Sequence, residues 1–374
     1  MAPRSSGCRR RSCVPESGRT LTGTDLLLAR HTTLRLGGPA ASVVAATTTE
    51  ELIDGVRRAD EAGDPLLVLG GGSNLVVADA GFPGTVVRVA TRGISIEEDQ
   101  SPGDVPGGGL LVTVAAGENW DDLVAHAVAH GWSGIEALAG IPGSVGATPI
   151  QNVGAYGQEV SHTLARVQVW DRVLGERRTF TADECRFGYR TSRFKADRLD
   201  EYGGRFLVLE VTFSFAQGEQ SAPIGYAELA RTLGVALGER APLADVRAAV
   251  LKLRRGKGMV LDPEDHDTWS AGSFFTNPVV EQDRVPEGAP AFPQPDGSVK
   301  TSAAWLIERS GFGKGHPGPG GRVSLSTKHT LAITNRGHGT AADVLALARE
   351  VRAGVESTYG IRLVNEPVLV DLTL

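Results

Sequence analysis

A run of three glycines between two strand-like segments is the feature that most restricts the fold of this chain. Residues 66–79 read LLVLGGGSNLVVAD, so apolar and β-branched residues lie on both sides of Gly70, Gly71 and Gly72. Glycine adopts positive φ without a steric penalty and lets a ligand approach the backbone closely. Consecutive N–H groups in such a turn form a concave anion site that suits a pyrophosphate. The run therefore predicts a strand-turn-strand loop that binds a dinucleotide-sized ligand.

The same run argues against a Rossmann fold. The fingerprint of that fold has spaced glycines that open a helix, with an acidic residue about twenty positions later. Here Leu75, Val76 and Val77 continue as a strand after the turn. The alternative for the glycines is a tight turn without a ligand, and the glycines alone leave both interpretations open.

Length, charge and composition exclude several classes of protein. The 374 residues, 41% of them hydrophobic, are enough for two or three domains with their own cores. A net charge of -6 argues against a nucleic-acid-binding protein. No apolar run has the roughly eighteen residues that a membrane span needs, and no secretory signal is recognisable. We therefore expect a cytoplasmic protein that binds neither membrane nor nucleic acid.

The cysteines predict neither a disulfide framework nor a metal site, and the basic N-terminal segment predicts disorder. Cys8, Cys13 and Cys185 have neither the pairing nor the spacing of a disulfide framework or a zinc site. The N-terminal segment is rich in arginine and poor in apolar residues. We predict that residues 1–24 are a disordered basic tail, the alternative being an over-extended start site.

Alternating helical and strand-like patterns divide the rest of the chain. Residues 49–62 and 119–131 have helical apolar spacing, and the second segment has Asn119 to cap it and Gly131 to end it. Residues 140–157, GIPGSVGATPIQNVGAYG, form a long uncharged loop, which is typical of a functional or ligand-covered segment. Further patterns predict helices at residues 243–252, 302–309 and 341–359, and a final strand at residues 363–372.

Seven motifs occur in order from about His31 to the C-terminus. They are LGGGSN, AGENWDDLV, GIPGSVGATPIQNVGAYG, ECRFGYRTSRFK, GSFFTNP, PDGSVKTSAAWLI and a terminal EPV. Together they closely resemble the UDP-N-acetylenolpyruvoylglucosamine reductase family of peptidoglycan precursor synthesis. The resemblance implies an α+β flavoprotein with an FAD-binding fold of the vanillyl-alcohol-oxidase/PCMH type in two subdomains, plus a C-terminal α+β substrate-binding domain.

The family's activity supplies further expectations. The resemblance implies non-covalent FAD, NADPH as co-substrate, and reduction of UDP-N-acetylglucosamine enolpyruvate to UDP-N-acetylmuramate. It also implies a monomer with ping-pong kinetics. The expected units are FAD-binding subdomain 1 at residues 25–90, joined by the last strand at 362–374, subdomain 2 at 91–220, a tyrosine loop or linker at 221–241, and a substrate-binding domain at 242–361. The PCMH-type region spans about residues 33–218.

Three residues match the family's catalytic positions. Arg190, in RFGYR, can hold a carboxylate through two parallel hydrogen bonds, although a surface position is the ordinary alternative. Ser273, in GSFFTNP, lies outside any GxSxG nucleophile elbow, and the resemblance makes it a proton donor. Glu366 is the third catalytic residue by resemblance, with a solvent-facing strand end as the alternative. It follows Asn365, where many relatives have proline.

The resemblance also implies two sets of binding residues. Cofactor contacts are expected from the two glycine-rich loops, at Gly70, Gly71, Gly72, Ser73, Asn74, Gly140, Ile141, Pro142, Gly143, Ser144, Gly146 and Ala147. Substrate contacts are expected at Tyr189, Tyr226, Lys257, Asn277 and His329. Tyr226 indicates the family version with a mobile tyrosine loop.

Two of the substrate residues have ordinary alternatives. Lys257 is also consistent with a solvated basic cluster that includes Lys252, Arg254 and Arg255. His329 is also consistent with a hydrogen-bonded structural histidine, and no histidine or cysteine spacing predicts a metal.

Two other functions stay open at the level of sequence. One is a flavin oxidase with the same FAD-binding fold, which often tethers its flavin through histidine or cysteine. Cys185 is the one thiol outside the basic tail. The other is an inactive relative that binds a nucleotide sugar. The joint presence of Arg190, Ser273 and Glu366 favours the reductase over both.

Overall fold

A computed structural model describes residues 19–20, 22–98, 109–199 and 202–374. Within these ranges the protein contains seven α-helices and twenty strands. Most of the predicted basic tail, residues 1–18 and 21, lies outside the described residues. Its last part differs from the prediction, because β1 (Arg19–Thr20) pairs antiparallel with β2 (Ala40–Ala46) and so belongs to a sheet.

The first subdomain is a mostly parallel sheet with one helix packed against it. Its strands follow the order β1-β2-β5-β3, where β3 is Leu66–Leu69 and β5 is Phe82–Val89. Helix α1 (Thr49–Ala62) has the predicted bounds. It begins at a capping box formed by Thr48 and Glu51 and ends at Gly63, which has a left-handed conformation.

The last strand of the chain returns to this subdomain, as predicted. β4 (Leu75–Val77) follows the glycine turn directly, and β20 (Val368–Val370) pairs with it in parallel. The turn therefore joins two strands and opens no helix. β20 is shorter than the predicted strand at residues 363–372, because Pro367 has no N–H to donate to a strand ladder.

The second subdomain is built on an antiparallel sheet. Its main strands run in the order β12-β11-β13-β7-β6, and β8 also pairs with β13. Helix α2 (Trp120–Ala129) packs its apolar face on this sheet and is capped by Asn119, which accepts a hydrogen bond from the N–H of Asp122 at 3.1 Å. The remaining elements are β6 (Ile94–Glu98), β7 (Gly109–Ala115), β8 (Trp132–Ser133), β9 (Gly154–Ala155), β10 (Gln158–Glu159), β11 (Leu164–Asp171), β12 (Glu176–Thr181), β13 (Phe206–Gln217) and helix α3 (Arg193–Ala196).

Two helices that follow β13 share the core of the second subdomain. They are α4 (Ala227–Leu233) and α5 (Leu243–Gly256). The sequence predicted that residue 242 opens the substrate-binding domain, but Val246, Ala249 and Val250 of α5 belong to the same hydrophobic core as α2. The packing boundary therefore lies after α5, because the apolar stripe of that helix faces the second subdomain.

The C-terminal unit packs a long helix against small sheets and docks on the first subdomain. Its sheets have the orders β14-β19-β18 and β15-β17-β16. Asp79 of the first subdomain accepts hydrogen bonds from the N–H groups of Ala341 and Ala342, at the start of the long helix. The elements are β14 (Ser270–Ser273), β15 (Val279–Val280), β16 (Ala291–Pro293), β17 (Val299–Thr301), α6 (Ala303–Arg309), β18 (Val323–Leu325), β19 (Ala332–Asn335) and α7 (Ala341–Tyr359).

Short 3₁₀ helices connect these elements. They lie at Gly23–Leu26, Leu28–His31, Glu136–Leu138, Val145–Ala147, Val160–His162, Asp183–Cys185, His266–Thr268, Gln282–Arg284 and Pro319–Gly321. Among the described residues, none of the helices combines the length and the apolar character that crossing a bilayer requires.

Candidate active site

The two predicted glycine loops lie against each other with their backbones in contact. A Cβ on Gly71 would lie 2.6 Å from the Cα of Gly143, and a Cβ on Gly70 would lie 2.5 Å from the Oγ of Ser144. Gly72 has φ 62°, and a Cβ there would lie 1.8 Å from the carbonyl oxygen of His31. Glycine is therefore required at Gly71 and Gly72, since a Cβ there would collide with backbone, whereas a Cβ on Gly70 would displace the hydroxyl of Ser144.

The first loop offers unpaired backbone donors. Among the hydrogen bonds of the described residues, none has the N–H groups of residues 71–74 as donors to a protein acceptor. The side chain of Asn74 is used differently, since its Nδ2 donates to Oε1 of Gln151 at 3.1 Å. Successive free N–H groups in a glycine turn suit an anion such as a pyrophosphate, so this loop fits the diphosphate of FAD.

The second loop is held by the N-terminal end of α2. The N–H of Gly140 donates to Oδ1 of Asp121 at 2.6 Å, and the carbonyl of Gly143 accepts from the N–H of Trp120 at 3.1 Å. A Cβ on Gly146 would lie 2.5 Å from the Cβ of Ala116, so this part of the loop also packs closely. Ile141 and Pro142 are half-buried, Ser144 is buried and Ala147 is exposed.

Arg190 and Glu366 meet across the molecule. Nε of Arg190 lies 3.2 Å from Oε1 of Glu366, and both side chains are largely buried. This contact is an ion pair without hydrogen-bond geometry, because Nε has no hydrogen-bond partner. The terminal nitrogens of the guanidinium donate to the carbonyls of Gly154 at 2.8 Å and Asn152 at 3.4 Å. Two of the three predicted catalytic residues are therefore in direct contact.

Ser273 lies close to this pair through the backbone. The N–H of Glu366 donates to the carbonyl of Phe274 at 2.9 Å, so Glu366 is paired with the residue next to Ser273. Ser273 ends β14 and is half-buried. Within the described part of the chain, its hydroxyl has no hydrogen-bond partner. Burial raises the pKa of Glu366 above its usual value, and the charges of Arg190 and Lys195 oppose that rise.

Tyr189 and Asn277 line the same region. Nζ of Lys300 lies 4.3 Å from the centre of the Tyr189 ring, and the guanidinium carbon of Arg190 lies 5.7 Å from it. Burial raises the pKa of the Tyr189 hydroxyl, whereas hydrogen bonds with Asn277 lower it. Asn277 also accepts a hydrogen bond from the N–H of Ala303 at 2.9 Å. Asn277 therefore stabilises the start of α6 as well as contacting Tyr189.

Tyr226 and Lys257 form a second cluster with a tyrosine that the sequence analysis did not assign. The rings of Tyr226 and Tyr156 meet edge to face with their centres 5.4 Å apart. Nζ of Lys257 lies 5.5 Å from the centre of the Tyr156 ring and 2.6 Å from Oε2 of Glu228. Tyr226 is 42% exposed, so its ring is accessible to solvent. Tyr156 belongs to the predicted functional loop at residues 140–157, and that position was the sequence signal that could have identified it.

His329 lies near Lys257 and Lys314 and is largely removed from water. Burial lowers the pKa of His329 to about 4, and the two lysine charges add to this effect. The imidazole is therefore neutral near pH 7, and it can take part in hydrogen bonding but not in charge pairing.

Arg254 is a buried cation that the sequence analysis placed in a solvated basic cluster. It is 8% exposed, and its Nε has no hydrogen-bond partner, while Nη2 donates to the carbonyl of Met259 at 2.8 Å. Burial lowers the pKa of Arg254 to about 10. Within the described residues, no carboxylate pairs with it. Its position four residues after Val250, on the buried stripe of α5, was the signal that could have found it.

The chemistry of the oxidase alternative has less support from the structure. Cys185 is fully buried, and burial raises the pKa of its thiol to about 12. Such a thiol is inert, because the thiolate is the nucleophilic form.

No group of three or more metal-binding side chains occurs among the residues described.

Two domain families match the chain. The family described as "FAD binding domain" matches residues 40–181 and so includes both glycine loops. The family described as "UDP-N-acetylenolpyruvoylglucosamine reductase, C-terminal domain" matches residues 262–370, which include Ser273, Asn277, His329 and Glu366.

Proteins named UDP-N-acetylenolpyruvoylglucosamine reductase are similar to this chain along most of its length. That of Cutibacterium acnes is 58% identical over 353 residues, which cover 94% of this chain and 91% of that protein. That of Salinispora arenicola is 56% identical, with coverage of 93% and 95%. The crystal structure of the reductase from Thermus caldophilus is 26% identical, with a TM-score of 0.58 and coverage of 94% of this chain and 98% of that one.

These matches confirm the predicted family, the predicted fold class and FAD as the cofactor. The FAD-binding match covers the two loops whose backbones interlock, which is the structural basis of the cofactor assignment. The chain belongs to the UDP-N-acetylenolpyruvoylglucosamine reductase family, FAD-binding oxidoreductases of cell-wall precursor synthesis that act on a carbon-carbon double bond.

Proposed function

We propose that this protein uses NADPH to reduce UDP-N-acetylglucosamine enolpyruvate to UDP-N-acetylmuramate. The single observation that carries the proposal is the contact between Arg190 and Glu366, whose backbone N–H pairs with the residue beside Ser273. The three residues come from distant parts of the sequence. The backbone pairing of Glu366 with Phe274 brings the segment that carries Ser273 next to the one that carries Glu366.

The proposed reaction creates negative charge that the protein must stabilise. The two glycine loops would hold FAD, which when bound would supply hydride transfer between NADPH and the terminal vinyl carbon of the substrate. Charge then develops on the adjacent carbon and its carboxylate, where preorganised cationic groups are worth several kcal/mol. The guanidinium of Arg190 is suited to this role, because its planar shape allows two parallel bonds to a carboxylate.

Ser273 and Glu366 have complementary proposed roles. A serine hydroxyl is a weak acid, but a basic carbon within hydrogen-bond reach can take its proton. The hydroxyl of Ser273 has no competing partner among the described residues, which supports proton donation to the carbon next to the ether oxygen. The buried carboxyl group of Glu366 orients the guanidinium of Arg190 toward that charge.

The diphosphate of the substrate needs its own cationic contacts. Lys257, Tyr226 and Arg254 are the groups we assign to it, since phosphate oxygens accept strong hydrogen bonds from charged donors. Lys257 is partly neutralised by Glu228, whereas Arg254 is buried without a carboxylate partner. We propose Tyr189 and Asn277 as contacts near the enolpyruvyl group, and His329 as a neutral hydrogen-bonding group near Lys257.

The location and assembly state follow from the same proposal. UDP-sugars and NADPH are intracellular metabolites, so the proposed reaction belongs in the cytoplasm. We propose a monomer, because Arg190 and Glu366 meet within a single chain, with the segment of Ser273 beside Glu366.

An anaerobic experiment separates this function from its alternatives. NADPH should remove the visible absorbance of the bound flavin, and the enolpyruvyl substrate should restore it rapidly. A flavin oxidase would instead regain its absorbance with oxygen as quickly as with substrate. An inactive nucleotide-sugar-binding protein would show no fast recovery with either reagent.

A further inference from the structure

Lys195 lies beside the Arg190–Glu366 pair but makes no ion pair of its own. It belongs to the short helix α3, five residues after Arg190, and its side chain is half-buried. Its Nζ donates to the backbone carbonyl of Arg190 at 3.0 Å. In the described ranges no carboxylate lies within ion-pair distance of this ammonium, although the charge of Glu366 acts on it.

We propose that Lys195 is a positioning residue for the reduction, holding the backbone of Arg190 and supplying a second positive charge next to Glu366. The inference rests on the proposed function, because Lys195 acts through two residues assigned there. The two parts of the role, a hydrogen bond and a charge, can be separated by experiment.

The hydrogen bond matters because Arg190 has an unusual backbone conformation. Its φ is 53°, in the left-handed region that a residue with a side chain seldom adopts. The turn that carries it is closed by two backbone hydrogen bonds between Gly188 and Thr191. The carbonyl of Arg190 points out of this turn toward Lys195, which satisfies it. Without that donor the carbonyl of Arg190 loses its hydrogen-bond partner. The backbone from which the guanidinium extends is then held less firmly.

The charge matters because Glu366 is buried. The charged or titratable groups that act on its carboxyl group are Arg190, Lys195 and Tyr189. Burial raises the pKa of Glu366, and the two cations lower it. Removal of Lys195 leaves Arg190 as the remaining cation, so the pKa of Glu366 should rise further.

Three variants of Lys195 test both parts. Lys195→Met removes the donor and the charge, Lys195→Gln keeps a donor without charge, and Lys195→Arg keeps both. Lys252→Met is the matched control, because Lys252 is exposed on α5 and outside the site. Stopped-flow absorbance under anaerobic conditions measures flavin reduction by NADPH and flavin reoxidation by the enolpyruvyl substrate as separate functions of pH.

We expect the reoxidation step to change and the reduction step to stay as in the wild type. Lys195→Met and Lys195→Gln should move the apparent pKa of the reoxidation profile upward by about one pH unit. The profile should shift upward whether the protonated or the ionised form of Glu366 is active, because the rate rises or falls around the pKa of Glu366 in either case. Lys195→Met should also slow the step more than Lys195→Gln, and Lys195→Arg should restore the wild-type profile.

Several results would overturn the inference. One is a wild-type pH profile in both Lys195→Met and Lys195→Gln. Another is an equal loss of both half-reactions together with loss of bound flavin, because that result would indicate a structural role only. Persistence of the shift when Lys195→Met is combined with Glu366→Gln would show that the charge of Lys195 acts on another group. If the wild-type protein itself lacks reoxidation by the substrate, the proposed function fails first, and that outcome is distinct from all of these.

Discussion

The glycine loops and the Arg190–Glu366 pair are both parts of the candidate site, but they consist of different chemical groups. At the glycine loops backbone meets backbone, and a Cβ on Gly71 would lie 2.6 Å from the Cα of Gly143. At the Arg190–Glu366 pair the contact is between charged side chains, whose Nε and Oε1 atoms lie 3.2 Å apart.

This difference predicts two kinds of failure. A loop that excludes any side chain should fail by geometry, so a single methyl group would abolish binding rather than weaken it. A group of functional side chains should fail by chemistry, so conservative substitutions would slow individual steps while the fold and the cofactor are retained. Four substitutions distinguish these two kinds of failure, in order of decreasing effect on function.

The largest effect is expected from Gly71→Ala. Its new methyl group would collide with the backbone of Gly143, which is held by the N–H of Trp120. We expect purified protein without bound FAD, measured by its visible absorbance and by the FAD released on denaturation. Gly256→Ala is the matched control, because a Cβ there meets nothing within 4 Å. Retention of FAD in Gly71→Ala would mean that the loops can separate.

Ser273→Ala should affect one half-reaction alone. Loss of the hydroxyl removes the proposed proton donor, so turnover of the enolpyruvyl substrate should fall by about 10²–10⁴-fold. Reduction of the flavin by NADPH should stay near the wild-type rate, and bound FAD should be unchanged. Rapid-mixing absorbance measures both steps. An equal loss in the two half-reactions would count against proton donation.

Lys257→Met should weaken binding more than chemistry. A charge-assisted hydrogen bond to a diphosphate contributes about 1.5–3 kcal/mol, so KM for the UDP-sugar should rise by about tenfold or more. The variant also leaves Glu228 without its partner at 2.6 Å. The double variant Lys257→Met with Glu228→Gln removes that repulsion and should recover part of the affinity. A fall in kcat at constant KM would contradict this assignment.

The smallest effect on function is expected from His329, which should change the pH dependence of stability instead. Its pKa is about 4 in the folded protein, below the usual value of about 6.5 in an unfolded chain. The unfolded state therefore binds a proton that the folded state excludes, and stability falls as pH falls from about 6.5 to 4. Below the folded pKa the contribution is lost.

Chemical denaturation at several pH values tests this expectation. Between pH 7 and pH 4 the free energy of unfolding should fall in both proteins. The fall should be about 2–3 kcal/mol smaller in His329→Gln than in the wild type. Parallel curves for the two proteins would show that His329 stays protonated or accessible in the folded state.

Local sequence signals were sufficient for several elements. α1 has the predicted bounds because Thr48 and Glu51 form its capping box and Gly63 ends it. α2 likewise begins after Asn119, and α7 has the predicted bounds Ala341–Tyr359. Each of these signals involves residues that are neighbours in sequence, so no knowledge of the tertiary structure is needed.

Other features depended on packing between distant segments. The apolar stripe of α5 predicts a buried face but does not say which core covers it, and the second subdomain covers it. Arg254 lies on that stripe, so it is buried although its neighbours Lys252 and Arg255 are exposed. Lys195 belongs to a motif that the sequence analysis quoted, but its contact with the carbonyl of Arg190 depends on the left-handed turn.

The glycine loops, the helix caps and the family could be predicted from residue identity and short-range spacing. The contacts of Glu366 with Arg190 and Phe274, and that of Tyr156 with Tyr226, became visible in the folded chain alone. Such contacts form when separate hydrophobic cores dock. Their geometry is set by the packing of whole domains and not by any local pattern along the chain.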